Sequence, residues 1–122
     1  AQSRIQFGHP IIALPVVQNM LAEMATRLEA ARALVYATAR TIDSGAKDFT
    51  EEASMAKVFA SDTAMKVTTD AVQIFGGAGY MRDYPVEKMM RDAKITQIYE
   101  GSNEVLRGTI AAALRKRRAR RE

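Results

Sequence analysis

Residues 15–43 read PVVQNMLAEMATRLEAARALVYATARTID. Val17, Leu21, Met24, Leu28, Ala31, Val35 and Ala39 recur at steps of three and four, which lays one apolar stripe along a helix. Pro15 fits a first helical turn, where its missing N–H removes no hydrogen bond. Nothing breaks the pattern before Ser44-Gly45. The spacing predicts one helix of about 29 residues, roughly 43 Å long. Such a helix is longer than a compact monomer of 122 residues needs, and points to a multi-domain or oligomeric setting.

Downstream, Asp48 or Thr50 can cap a second helix, and Asp48 with Glu51 has capping-box spacing. Ala53, Ala56, Phe59, Ala60, Thr63, Ala64, Val67, Ala71 and Phe75 form its stripe, rich in small residues that admit a close neighbour. Gly76-Gly77 ends it in the manner of a left-handed C-cap. A loop over residues 77–84 follows. Pro85 opens a third helix that runs to about Ile95, residues 96–101 are ambiguous, and Gly101 or Ser102 caps a last helix carrying Val105, Leu106, Ile110 and Leu114. Upstream, the first nine residues read as polar and irregular. The fold class expected is all-α, an antiparallel four-helix bundle of two long and two shorter helices, over residues 1–114, with a basic tail at 115–122.

Composition narrows the function. The length suits one domain, and 48% hydrophobic with 26% charged residues is ordinary for a folded one. Without cysteine the chain has no disulfide, thiol nucleophile or thiolate metal site. One histidine, His9, argues against a multi-histidine metal centre. No apolar run approaches the roughly 20 residues that span a bilayer, so no membrane partner is expected. No basic region followed by an apolar stretch marks a signal peptide. Bacterial cytoplasm or mitochondrial matrix is the compartment expected. The net charge of +4 is a property of the tail: residues 115–122 carry +5, and the other 114 carry −1. The tail has no interleaved aromatic residues to stack on bases, which argues against a nucleic-acid partner and for a solvated end of the last helix.

Three segments carry candidate chemistry. Glu100 follows the apolar pair Ile98-Tyr99 and precedes Gly101. A carboxylate in an apolar pocket is a stronger base, and a glycine lets a ligand approach the backbone; a helix-terminal Glu favoured by the next helix dipole is the plainer reading of the spacing. Gln73-Ile74-Phe75-Gly76-Gly77-Ala78-Gly79-Tyr80 places three glycines in four positions, able to form a phosphate-receiving set of backbone N–H groups, although a simple helix stop explains the same residues. Arg4-Ile5-Gln6-Phe7-Gly8 sets a cation and an aromatic ring beside a glycine, a combination able to hold phosphate and stack on a heterocycle, or an ordinary lead-in to a helix. The methionines lie mostly at core spacing.

Taken together these segments, with Tyr84-Pro85-Val86-Glu87-Lys88-Met89-Met90-Arg91-Asp92-Ala93-Lys94-Ile95-Thr96-Gln97-Ile98-Tyr99-Glu100-Gly101-Ser102-Asn103-Glu104, resemble the C-terminal helical domain of the acyl-CoA dehydrogenases. The resemblance runs from about Arg4 to Ala113. It implies a flavoprotein that oxidises an acyl-CoA thioester to the trans-2-enoyl-CoA and passes electrons to an electron-transferring flavoprotein. It implies that Glu100, in the Y-E-G motif, takes the α-proton while the β-hydrogen leaves as hydride to the flavin, and that Gly101 contacts substrate. The thioester oxygen would accept a hydrogen bond from the Glu100 backbone N–H, an oxyanion-hole arrangement. For FAD, the resemblance implies contacts from Arg4 and Phe7, from Gln73, Ile74, Phe75, Gly76 and Gly77, and from Ser102, Asn103 and Glu104. Arg91 and Asp92 match typical positions with a structural ion-pairing role.

The family usually has a Gln a few residues past its F-G-K-P segment. Leu14-Pro15 stand there in this sequence, which removes that flavin contact, and His9 replaces a common lysine. Family members also carry an N-terminal helical domain and a middle β domain, expected here in cis or in trans, and assemble as tetramers. No metal is implied. A stand-alone helical oligomerisation module that keeps the scaffold without the chemistry is the alternative expectation.

Overall fold

The two long helices form where their stripes place them. In the computed structural model, which describes residues 1–119, α1 spans Pro15–Asp43 and α2 spans Thr50–Phe75. Pro15 opens α1 behind Leu14, with no side-chain cap. Gly45, at φ 87°, turns the chain out of α1 and donates its N–H to the Ile42 carbonyl at 3.0 Å. Asp48 supports the start of α2 from just outside it: its carboxylate accepts the Thr50 N–H at 3.2 Å. Two glutamates in the first turn of α2 complement the helix dipole.

Past α2 the chain makes α3 (Gly77–Tyr80), α4 (Val86–Thr96) and α5 (Asn103–Ala119). The expected loop at 77–84 thus contains one helical turn. Gly76 has the positive φ expected of a helix stop, 63°, but its ψ of −146° is not the left-handed helical value. That pair of angles is essentially open only to glycine, and it lets α3 restart at once. α5 runs without a break through residues 115–119, and Arg117 pairs with Glu51 near the start of α2 at 2.6 Å. Residues 120–122 of the tail lie outside the described residues.

The N-terminal segment departs from its irregular reading. β1 (Ile5–Gln6) and β2 (His9–Pro10) form an antiparallel hairpin, with Ile5 opposite Pro10 and Gln6 opposite His9. Phe7 and Gly8 make its two-residue turn at φ 53° and 80°. Two successive positive φ values match the twist of paired strands. A bulky aromatic residue rarely takes such a φ, so the sequence hides the turn. A 3-10 turn over Ile11–Ala13 joins the hairpin to α1.

α2 is the shared partner of the bundle, packing on α1, α3, α4 and α5. The buried apolar residues are Ile11, Val17, Ala31, Ala56, Val86 and Ala93, none larger than isoleucine. Small side chains let the backbones approach closely but remove little apolar area each; a fully buried Val or Ile contributes about 1.5–3 kcal/mol. The inward face of α1 holds Val17, Ala31 and Thr38, with Met20, Leu21, Met24 and Leu34 half-buried. Leu28, Val35 and Ala39 of the predicted stripe are exposed instead. The physical reason is that α1 is apolar on more than one face. Leu28, Val35 and Ile42, seven residues apart, form a second seam that this chain leaves open. No helix among the described residues is long and apolar enough to cross a membrane.

Candidate active site

The α4–α5 junction is built on one polar stretch of α2. Lys57, Ser61 and Asp62 lie one turn apart and face the junction. Asn103, the first residue of α5, is 2% exposed and reaches all three. Its Oδ1 accepts from the Lys57 ammonium at 2.8 Å. Its amide nitrogen donates to Ser61 Oγ at 2.8 Å and to Asp62 Oδ1 at 2.8 Å. Lysine only donates and an ionised carboxylate only accepts, so the neighbours dictate which way the amide points. Ser61 then turns its own proton back to the Lys57 carbonyl at 2.8 Å. Asp62 also receives Gln97 Nε2 at 2.7 Å and the Arg107 guanidinium. A buried amide with every neighbour paired holds its surroundings in one arrangement.

Between Gln97 and Asn103 the chain makes a tight bend with Glu100 at its tip. The Asn103 N–H donates to the Gln97 carbonyl at 3.0 Å, closing the bend at its base. Glu100 and Gly101 both have positive φ, 53° and 87°. For glutamate this conformation costs about 1–2 kcal/mol and persists only where the surroundings over-determine it. Here they do: Lys57 Nζ donates to the Gly101 carbonyl at 2.8 Å. A Cβ on Gly101 would also lie 3.3 Å from the Leu106 side chain, so the position favours glycine twice over.

Glu100 is exposed, and the flanking Ile98 and Tyr99 are about half exposed. The apolar pocket expected around this carboxylate is not made by the described residues. Ser102 caps α5, accepting the Val105 N–H at 3.4 Å. Glu104 is held below the usual carboxylate range, chiefly by its own backbone N–H and then by the Ser102 hydroxyl; desolvation opposes this, and the Arg107 and Lys94 charges add to it. A cleft of about 270 Å³ adjoins the bend, lined by Asp62, Lys94, Gln97, Ile98, Asn103, Glu104 and Arg107. A larger groove, about 600 Å³, lies at the other end of α5 between Glu51, Glu52, Ala112 and Arg117, away from Glu100.

A second cluster forms at the C-terminal end of α2, about 20 Å from Asp62 along the helix axis. Arg4 Nη1 donates to the Phe75 carbonyl at 3.0 Å and lies 3.5 Å from where a Gly76 Cβ would stand. Arg4 and the glycine turn, 71 residues apart in sequence, are therefore brought together. Gly77 is open around its Cα, and Phe7 at the hairpin tip is 86% exposed. The remaining guanidinium donors, an open glycine backbone and an exposed aromatic ring are groups able to hold phosphate and stack on a heterocycle. Other parts of the glycine segment are committed to structure. The Gly76 and Gly79 N–H groups donate to Gln73 and Gly76 carbonyls, Ile74 is half-buried, and the Phe75 ring packs on Tyr84 with centroids 5.3 Å apart. Gly79 is required by packing: a Cβ there would sit 2.5 Å from the Phe75 Cβ and 2.8 Å from the Val72 carbonyl oxygen. Gln73 is exposed.

Sequence reasoning passed over Lys57, Ser61, Asp62 and Arg107. The one available signal was Lys57-x3-Ser61-Asp62 beside an otherwise apolar and small-residue stripe. Among the described residues no group of three or more His, Asp or Glu is placed to hold a metal ion.

The helical domain thus carries an exposed carboxylate at the tip of a hydrogen-bonded bend between its last two helices, and a cation-glycine cluster at the far end of its central helix. The sequence model for the acyl-CoA dehydrogenase C-terminal domain matches residues 1–115, and the chain belongs to that family. It is 57% identical over 114 residues to an acyl-CoA dehydrogenase of Bacillus subtilis, covering 93% of this chain and 30% of that protein. It is 50% identical over 119 residues to a cyclohexane-1-carbonyl-CoA dehydrogenase of Geobacter metallireducens, covering 98% and 31%. The solved structure of butyryl-CoA dehydrogenase from Megasphaera elsdenii superposes with a TM-score of 0.89 at 53% identity, covering 93% of this chain and 29% of that one. The chain thus spans about 30% of the length of these relatives.

Proposed function

We propose that this chain is the C-terminal domain of an FAD-dependent acyl-CoA dehydrogenase, in which Glu100 removes the α-proton of an acyl-CoA thioester. The observation that carries the reading is the tip of the α4–α5 bend. There the backbone of Glu100 takes a strained left-handed conformation between hydrogen-bonded neighbours, and its carboxylate is exposed. A base must be held within reach of the proton it takes, and an exposed one faces whatever docks on this surface. In the reaction the α C–H bond breaks, its electron pair stays on carbon, and the proton passes to a Glu100 carboxylate oxygen. The Glu100 backbone N–H is the donor proposed for the thioester oxygen, where negative charge develops. Gly101 lets the thioester approach the backbone.

The flavin, when bound, supplies the acceptor for the β-hydrogen as hydride. Arg4 would hold its phosphates, Phe7 would stack on a ring, and residues 73–77 and 102–104 would contribute backbone and polar contacts. An electron-transferring flavoprotein is the partner proposed to take the electrons, and bacterial cytoplasm or mitochondrial matrix the proposed compartment. The N-terminal and middle domains complete the site in cis or in trans. The open seam of Leu28, Val35 and Ile42 on α1 supports assembly as a homotetramer.

Glu100→Gln in the whole protein tests the base. The expected result is flavin retained with dehydrogenation below a few per cent of the parent; higher residual activity would falsify the role. The same open seam favours a second reading, a helical oligomerisation module without catalysis. A stable helical oligomer that never takes up flavin, even with the other domains added, would select it.

A further inference from the structure

We propose that Lys57 is a positioning residue for Glu100, and that the Lys57–Asn103 pair locks the bend in the conformation that aims the carboxylate. The proposal rests on Glu100 being the base. Five residues separate Gln97 from Asn103, and both of these are tied to α2: Gln97 through Asp62, Asn103 through Lys57, Ser61 and Asp62. The segment between them contains two successive positive φ values, one on a glutamate. The Lys57 ammonium ties this segment to α2 by donating to the Gly101 carbonyl at 2.8 Å. The same ammonium donates to Oδ1 of the buried Asn103 at 2.8 Å. One charged group therefore fastens the residue after Glu100 and the residue that starts α5.

Lys57 is half-buried, and its ammonium lies with two neutral oxygens rather than in a surface ion pair. Charge-assisted hydrogen bonds of this kind are stronger than neutral ones. Without the ammonium the Gly101 carbonyl is released and the bend can relax toward ordinary φ values. A shift of about 1 Å at a reacting group can lower a rate by about a hundredfold. Lys57 bonds the Gly101 carbonyl and Asn103 rather than the Glu100 carboxylate, so it acts on the base through the backbone of the bend, and its effect is expected in proton abstraction.

The test uses the whole flavin-loaded protein with Lys57→Met, Lys57→Arg and Glu100→Gln. In Lys57→Met, kcat should fall at least tenfold with KM within about twofold and flavin content unchanged. The kinetic isotope effect with an α-deuterated acyl-CoA should rise, because proton abstraction becomes more rate-limiting. Amide exchange in peptides covering residues 97–104 should speed up at least fivefold. Lys57→Arg keeps charge and donors and should recover most of both. If Lys57→Met gives no folded protein, Lys57→Gln, a shorter neutral donor, reads the same quantities. A kcat within twofold of the parent overturns the proposal, as does a loss that tracks missing flavin with an unchanged isotope effect. If Glu100→Gln stays active, the base reading fails and takes this proposal with it. If Glu100→Gln is dead while Lys57→Met is fully active, the positioning role alone fails.

Discussion

Gly79 has no room for a side chain. Its added Cβ would press on backbone of α2 and on Phe75 Cβ, neither of which is the flexible end of a side chain. Gly79→Ala should therefore destabilise the domain by about 1–3 kcal/mol, seen as a lower denaturant midpoint; an unchanged midpoint would mean that α3 simply shifts. Asn103 is the residue-scale counterpart in polar chemistry. Asn103→Leu removes partners from Lys57, Ser61 and Asp62 at once, and leaving buried polar groups unpaired costs about 1–3 kcal/mol each. A loss of roughly 3 kcal/mol in the same titration is expected, and a loss under 1 kcal/mol would show that water replaces the amide freely. Glu104 adds a pH effect. Its folded carboxyl lies below its ordinary range, so it stabilises the fold above that range and the contribution fades as pH falls through the lowered value. Glu104→Gln should flatten the acid side of the stability profile; an identical acid limb in the variant would count against the Ser102 and backbone contacts.

At the scale of the element, α1 carries the prediction. One face packs on α2, and the seam at Leu28, Val35 and Ile42 stays open at 46%, 39% and 38% exposure. Seven-residue spacing of apolar side chains suits packing against another helix. Replacing all three with glutamate should leave the α1–α2 contact intact and abolish self-association in the whole protein, measured by sedimentation. Persistence of the parent's oligomer would place the assembly surface elsewhere. The α4–α5 junction makes the opposite point about elements. Neither helix alone defines it; the bend exists because α2 supplies Lys57, Ser61 and Asp62 beneath it.

At the scale of the molecule, the two clusters sit at separated stations along α2, and Glu100 is exposed. Among the described residues no buried apolar side chain is larger than isoleucine, and the exposed apolar side chains offer surfaces for other domains to cover. The visible spectrum is the measurement at this scale. Flavin bands should co-elute with this chain in gel filtration once the N-terminal and middle domains are added, with turnover of acyl-CoA following. Strong flavin retention by the chain alone would mean that the Arg4–Gly76 cluster is sufficient, contrary to the shared site proposed here.

The four longer helices and their order were legible in the sequence because local signals write them: apolar steps of three and four, Pro15 at a start, Gly45 and Gly76 at stops. Glu100 stood out because an apolar pair and a glycine flank it, and the longer motif around it carries the family. The hairpin at Phe7-Gly8 was not legible, since an aromatic residue in a left-handed turn runs against its own preference and is held there by pairing of the strands. Nor was the sorting of α1 into a packed face and an open one, because periodicity counts apolar residues without knowing which neighbour covers them. The sequence by itself determined the order of the four longer helices and singled out Glu100 as the candidate carboxylate. Only the tertiary structure decided that Asn103 forms one network under the bend with Lys57, Ser61 and Asp62, which precede it by 46, 42 and 41 residues. Hydrogen bonds between distant residues depend on where packing brings the helices, and no local pattern encodes that.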